Sequence, residues 1–243
     1  DTTALITRGV HALISSRLDE ADEYAARALA INTFSDEAII LRSRVLYLKG
    51  QNQAALDLLE QHVGDREPSA GIHLARLELF RATRNPAGME AQFLALRSTD
   101  QYRWQLQVDE ANFLLKTGRA DKGLELTVQL LSSPDLPREG LNSVLSLWDI
   151  WEFSDLPPQA VDAISQNGSI SARYSVATVL ARHSSLRSAE KMAGTLQGND
   201  RDAFKALIAF RSARISEAVR VSEQVLERDE SHCLGLEVLA AAN

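Results

Sequence analysis

Leu48-Lys49-Gly50-Gln51-Asn52-Gln53-Ala54-Ala55-Leu56 joins two apolar-periodic runs, the first ending at a glycine and the second starting at once. Glycine reaches the left-handed conformation that ends a helix without a Cβ penalty, so the stretch predicts a turn between two helices of one hairpin. The same event recurs at Ser15-Ser16-Arg17-Leu18-Asp19-Glu20-Ala21 and at Lys116-Thr117-Gly118-Arg119-Ala120-Asp121-Lys122-Gly123. A small residue five positions past each turn lets paired helices approach closely. Taken as a marker, that position is Ala21, Ala55, Met89, Gly123, Ala160, Ala189 and Ala218, with spacings of 34, 34, 34, 37, 29 and 29 residues. Three equal intervals indicate one unit copied along the chain, and Met89 is the marker that is not small.

Composition agrees with helices throughout. The 243 residues are 45% hydrophobic and 24% charged, with only 12 Gly and 6 Pro, and Ala, Leu, Arg, Glu and Gln lose little rotamer freedom on a helix. The expected class is all-α. A net charge of −7 argues against sequence-independent nucleic-acid binding, which needs Lys and Arg to displace phosphate counterions. No apolar run approaches the ~20 residues that span a bilayer, so no direct membrane insertion is expected. Cys233 stands alone, which excludes an intrachain disulfide and a Cys-based zinc site. Leu234 to Ala242 forms an apolar helical segment, expected to dock onto a second copy of the chain or onto the remainder of a longer one.

The repeat resembles the tetratricopeptide repeat, a helix-turn-helix unit of 34 residues with a small residue at position 8, an apolar one at 11 and Ala at 20. Position 8 is Gly9, Ser43, Leu77, Ala111, Trp148, Ala177 and Ala206; position 11 is Ala12, Leu46, Phe80, Leu114, Trp151, Leu180 and Ala209. Positions three apart share a helix face, as a hairpin seam requires. The large apolar residue of position 4 is kept as Leu5, Ile39 and Val144 but replaced by His73, Gln107, Arg173 and Asp202. The resemblance, strong over residues 2–131 and looser beyond, implies a right-handed α-solenoid of antiparallel helix pairs. Trp148, where a small residue is expected, should push its hairpin open.

The pairs are predicted at 3–15 with 19–31, 36–49 with 52–63, 69–83 with 86–97, and 101–117 with 120–132. After the breaker cluster Ser132-Ser133-Pro134-Asp135-Leu136-Pro137 come three less regular hairpins and a final helix from about residue 230. The chain is accordingly divided into 1–132, with four hairpins, and 133–243. One continuous superhelix is expected, with two rigid domains hinged at 132–137 as the alternative.

Catalytic and cofactor signatures are missing. The five histidines belong to no i, i+4 pair, and no phosphate-binding glycine loop or nucleophile elbow occurs. Asn167-Gly168-Ser169 matches a glycosylation acceptor but is explained as a turn. No enzyme activity, metal or cofactor is expected. What remains is surface. The resemblance implies that first-helix positions 2, 5, 9, 12 and 13 face a concave groove that holds a protein segment. Carried onto this chain, they give Ile40, Arg44, Tyr47 and Leu48; Leu74, Glu78 and Arg81; Val108, Asn112, Leu115 and Lys116; Leu145, Asp149, Glu152 and Phe153; and Tyr174, Thr178 and Arg182. Both charges alternate with apolar anchors, which suits a protein ligand better than a polyanion. A carboxylate clamp of Lys and Asn at positions 5 and 9 is not formed, since Val108 precedes Asn112.

The function expected is a non-enzymatic scaffold for a partner protein segment. The resemblance extends to bacterial envelope proteins, some serving export or outer-membrane assembly, which favours a periplasmic or envelope-associated setting over a cytoplasmic one. Self-assembly through Leu234–Ala242 is the second reading. A ligand-sensing or enzymatic array, with a pocket joining Glu78, Arg81 and Lys116, is the third.

Overall fold

The computed structural model describes residues 1–151, 157–182 and 186–242. They hold fifteen helices and, among the described residues, no strand. Two compact units are present, Asp1–Arg103 and Trp104–Asn243, so the loop at 132–137 lies inside the second.

The first unit contains α1 (Thr2–Ile14), α2 (Leu18–Ile31), α3 (Asp36–Leu48), α4 (Asn52–Val63), α5 (Ala70–Ala82) and α6 (Pro86–Leu96). Ser35, Ser69 and Asn85 accept from free backbone N–H groups at the starts of α3, α5 and α6, and Pro86 occupies the first turn of α6. Each of α1, α3 and α5 pairs with the helix that follows, and α3 also touches α1, α2 and α5. A first helix is thus shared between hairpins. Ile39, Leu56, Leu59, Ile72 and Leu79 form a core that crosses the boundary between two repeats.

The second unit contains α7 (Trp104–Lys116), α8 (Ala120–Leu131), α9 (Arg138–Ile150), α10 (Pro158–Asn167), α11 (Ile170–Arg182), α12 (Leu186–Ala193), α13 (Gly198–Arg211), α14 (Ile215–Arg228) and α15 (Cys233–Ala242). One core runs from Leu130 and Val144 through Ile164, Leu180 and Phe204 to Val238. The last helix covers it, with Leu234, Gly235 and Val238 buried and Leu236 left exposed.

Five hairpin turns have the same backbone. Ser16, Gly50, Arg84, Gly118 and Ala213 adopt φ of +58°, +76°, +53°, +77° and +60°, the first four at intervals of 34 residues. The residue after each donates its N–H across the end of the first helix, Arg17 to Ala12, Gln51 to Leu46, Asn85 to Phe80, Arg119 to Leu114 and Arg214 to Ala209, at 2.8–2.9 Å. This is the Schellman closure, which satisfies a helix-end carbonyl and reverses the chain. Only two of the five positions are glycine, so the turn is imposed on Ser16, Arg84 and Ala213 at a cost of about 1 kcal/mol each.

Past the turn the helices meet on small residues. A Cβ on Gly9 would lie 3.2 Å from the Tyr24 Cβ on α2 and 2.4 Å from Leu41 on α3, and one on Gly123 would lie 3.1 Å from the Ala111 carbonyl oxygen. Ser43 Oγ donates to the Ala55 carbonyl at 3.5 Å. In the third hairpin the close approach moves one residue back, because the Phe80 ring occupies the space a Cβ on Gly88 would enter, at 2.5 Å. Met89 is therefore not the packing residue that the 34-residue spacing suggests.

Trp148 is fully buried, and its indole N–H donates 2.9 Å to Thr127 Oγ1 on α8. Thr127 passes its own hydroxyl proton 2.8 Å to the Leu124 carbonyl. The ring thus takes core space beside α8, while α10 packs on α8, α11 and α12. Three of the polar residues at position 4, His73, Arg173 and Asp202, find partners late in the same hairpin. His73 Nδ1 donates to Gln92 Oε1 at 2.8 Å, Arg173 to the Thr195 carbonyl at 3.1 Å, and Arg228 to Asp202 at 3.0 Å. Lys205 and then Arg228 hold the Asp202 carboxyl below its ordinary pKa of 3.8.

Ala213→Gly is expected to stabilise the second unit by about 1 kcal/mol and Gly50→Ala to destabilise the first by about as much, read as shifts in thermal midpoint. Thr127→Val leaves the indole N–H unsatisfied and is expected to cost about 1–3 kcal/mol. Trp148→Phe added to it should cost less than the sum of the two single changes, as a double-mutant cycle in urea would show. A carboxyl lowered on folding stabilises above its unfolded pKa, and that stability is lost as pH falls through the folded value. Asp202→Asn should therefore lower the urea midpoint at neutral pH, with the difference from the parent shrinking below about pH 3.8.

Candidate protein-binding faces

In the first unit the candidate positions gather on one side of the first helices. Ile40, Arg44, Tyr47 and Leu48 follow one another along α3 at spacings that keep them on one face. Ile40 reaches α5, its Cδ1 lying 3.1 Å from the Cβ position of Gly71. Arg44 and Glu78 form a two-pronged pair, Nε to Oε2 at 3.3 Å and Nη2 to Oε1 at 3.1 Å. They hold the same position in successive repeats, 34 residues apart. Both side chains are about half exposed, so the pair contributes on the order of 1 kcal/mol or less and mainly fixes two charged ends in place. Arg81 is exposed on the last turn of α5.

Beside this pair lies an apolar patch. Val10 and Ile14 on α1 are 40% and 79% exposed, and Tyr47 and Leu48 on α3 are 38% and 53% exposed. The two helices are in direct contact. Val10 and Ile14 are positions 9 and 13 of the first repeat and were absent from the residues singled out in the sequence. The register that selected Arg44 and Leu48 also selects them.

In the second unit Asn112 is half-buried, and Lys116, Asp149 and Arg182 are exposed. Glu152 and Phe153 lie outside the described residues. The Arg182 carbonyl accepts from Arg211 at 3.0 Å, which ties the end of α11 to α13. Tyr174 is the candidate with the most structure around it. Its ring meets Phe204 edge-on at 5.0 Å, and it lines a pocket of about 580 Å³ with Asn142, Ser171 and Asp200.

Those three residues occupy position 2 of successive repeats, and Tyr174 position 5 of the middle one. Position 2 is among the groove positions that the resemblance implies, so the repeat register carries the signal for all three. Burial, then the charges of Asp200, Cys233 and Glu237, push the Tyr174 hydroxyl above its ordinary pKa, so it stays protonated. Asp200 is held by His232 Nε2 at 3.2 Å. His232 Nδ1 accepts from the Gly235 N–H at 3.3 Å, which leaves the ring proton on Nε2, aimed at the carboxylate. Ser171 and Ser175 add hydroxyls to the same wall. The pocket offers neutral donors and acceptors together with the Arg138 guanidinium and the anchored Asp200 carboxylate, a mixed polar lining that suits a peptide backbone. Among the described residues no three of His, Cys, Asp or Glu converge as metal ligands. No described helix is long and apolar enough to cross a membrane.

No protein-family model and no curated protein matches the chain. Solved structures do. The Naa15/Naa10 complex bound to HypK-THB matches at a TM-score of 0.51 and 15% identity over 99% of this chain, which spans 39% of the matched chain. Pseudomonas aeruginosa pilF matches at 0.50 and 12%, over 99% of this chain and 97% of its own. A tetratricopeptide repeat protein from Parabacteroides merdae matches at 0.49 and 10%, over 99% and 98%. At these identities the likeness concerns the fold. Together with the hairpin turns recurring at 34-residue intervals, it shows that the chain has the tetratricopeptide-repeat fold.

Proposed function

We propose that the protein is a non-enzymatic scaffold that binds a segment of a partner protein on the exposed face of its first helices. The observation that carries this reading is the apolar patch of Val10, Ile14, Tyr47 and Leu48 on the touching helices α1 and α3. Apolar side chains left in water on adjacent helices, beside a fixed Arg44–Glu78 pair, provide anchors and charge register for another chain. The Tyr174 pocket supports the same reading in the second unit, through hydrogen-bonding groups in a volume sized for one or two residues of a peptide. Of the fold neighbours, the Naa15/Naa10 structure is itself bound to HypK-THB. The narrower setting, a bacterial envelope or export assembly, has the sequence resemblance as its support.

The test is selection of binding peptides from a displayed library on the whole chain, followed by titration of the selected peptides. Ile14→Ser with Tyr47→Ala should weaken them by about tenfold or more, equivalent to about 1.4 kcal/mol, with the circular dichroism unchanged. Peptides that bind both proteins equally would rule out the α1–α3 face.

A further inference from the structure

A second cleft in the Trp104–Asn243 unit lies between α12 and α14, over the face of α13 that carries Arg201, Lys205 and Ile208. These are positions 3, 7 and 10 of their repeat, not the groove positions. The cleft has a volume of about 490 Å³. From its geometry we infer that it is a docking site for an acidic peptide segment, separate from the first-helix face.

Internal pairing leaves positive charge over in this cleft. Four cations line the cleft, Arg201, Lys205, Arg214 and Arg220. Arg214 is engaged by Glu217 at 2.8 Å. Asp202 is shared between Lys205 at 2.9 Å and Arg228 at 3.0 Å. Among the described residues Arg201 and Arg220 have no hydrogen-bond or ion-pair partner. The opposing carboxylate that remains is Glu190 on α12. Two guanidinium groups therefore face a single unpaired acid, in a chain whose net charge is −7.

A cleft with low-dielectric walls focuses such a local excess. The guanidinium fork matches the two oxygens of a carboxylate, and two forks suit two acidic side chains. Between them Ala193, Ile208 and Val221 supply apolar lining. The occupant is accordingly a short segment with acidic residues on both sides of an aliphatic one. Asp202, which stands where the repeat pattern has a large apolar residue, acquires a role here. Its hydrogen bonds from Lys205 and Arg228 hold those two cations at the end of the hairpin and leave Arg201 to the ligand.

The experiment is fluorescence anisotropy with the whole chain and a labelled peptide carrying Glu-Glu-Leu-Glu-Glu between Gly-Ser flanks, compared with its Gln and Lys counterparts. The Glu peptide should bind about tenfold or more tighter than the Gln peptide and weaken as salt is raised. Arg201→Gln with Arg220→Gln should abolish that preference, and Glu190→Gln should strengthen binding by about two- to fivefold. Ile14→Ser with Tyr47→Ala should leave it unchanged, which separates this cleft from the first-helix face. Equal binding of the Glu and Gln peptides would overturn the proposal. So would a preference that survives loss of both arginines in a protein of unaltered circular dichroism, or an oligouridylate that binds the same arginines tighter than the Glu peptide.

Discussion

Every described turn between the helices of a regular hairpin depends on one residue with positive φ at the end of the first helix. That residue lets the next N–H reach back to a carbonyl five positions earlier, so the helix ends and the chain reverses within two residues. With the reversal this short, the second helix starts beside the first, and the small residues at positions 8 and 20 become neighbours. Gly9 with Ala21, Ser43 with Ala55, and Ala111 with Gly123 are the result. The seam holds the helices close enough for the larger side chains on either side to form a core within each unit. Ser16, Arg84 and Ala213 show that packing overrides the local preference for glycine, because the core gained exceeds the strain of a single left-handed residue.

The polar residues that break the repeat pattern have a common logic. His73, Arg173 and Asp202 occupy a first-helix position that points at the far end of the second helix. Each spans that distance with a hydrogen bond or ion pair where an apolar side chain would make a contact. The pairing removes the penalty of placing polar atoms against the seam. It adds directionality, since a hydrogen bond of about 3 Å tolerates less sliding than an apolar contact. Trp148 is a comparable case in the core, where a bulky ring is accepted because Thr127 satisfies its N–H.

This architecture leaves three surfaces with distinct chemistry. The α1–α3 face is apolar, the Tyr174 pocket is polar and hydrogen-bonding, with one cation and one carboxylate, and the α12–α14 cleft carries surplus guanidinium charge. A scaffold built from repeats can separate such surfaces because each is made by two or three adjacent helices.

The sequence by itself determined the helical class, the repeat length and the register. Those rest on local chemistry, namely the spacing of small residues and of turn-forming stretches such as Gly50 to Ala55 and Gly118 to Gly123. The resemblance, carried along that register, also selected Arg44, Tyr47 and Glu78 as groove candidates, because one register assigns equivalent positions in every unit. Only the tertiary structure decided that Arg44 and Glu78 bond to each other, that Gly88 and not Met89 makes the close approach, and that Val10 and Ile14 remain exposed. It also decided that the compact units divide at Arg103 and not by the breaker cluster of Pro134 and Pro137. Pairing and exposure depend on which side chains from separate helices reach one another. The cleft of Arg201 and Arg220 was illegible for the same reason, since its charge excess appears only after the nearby acids have found other partners in space.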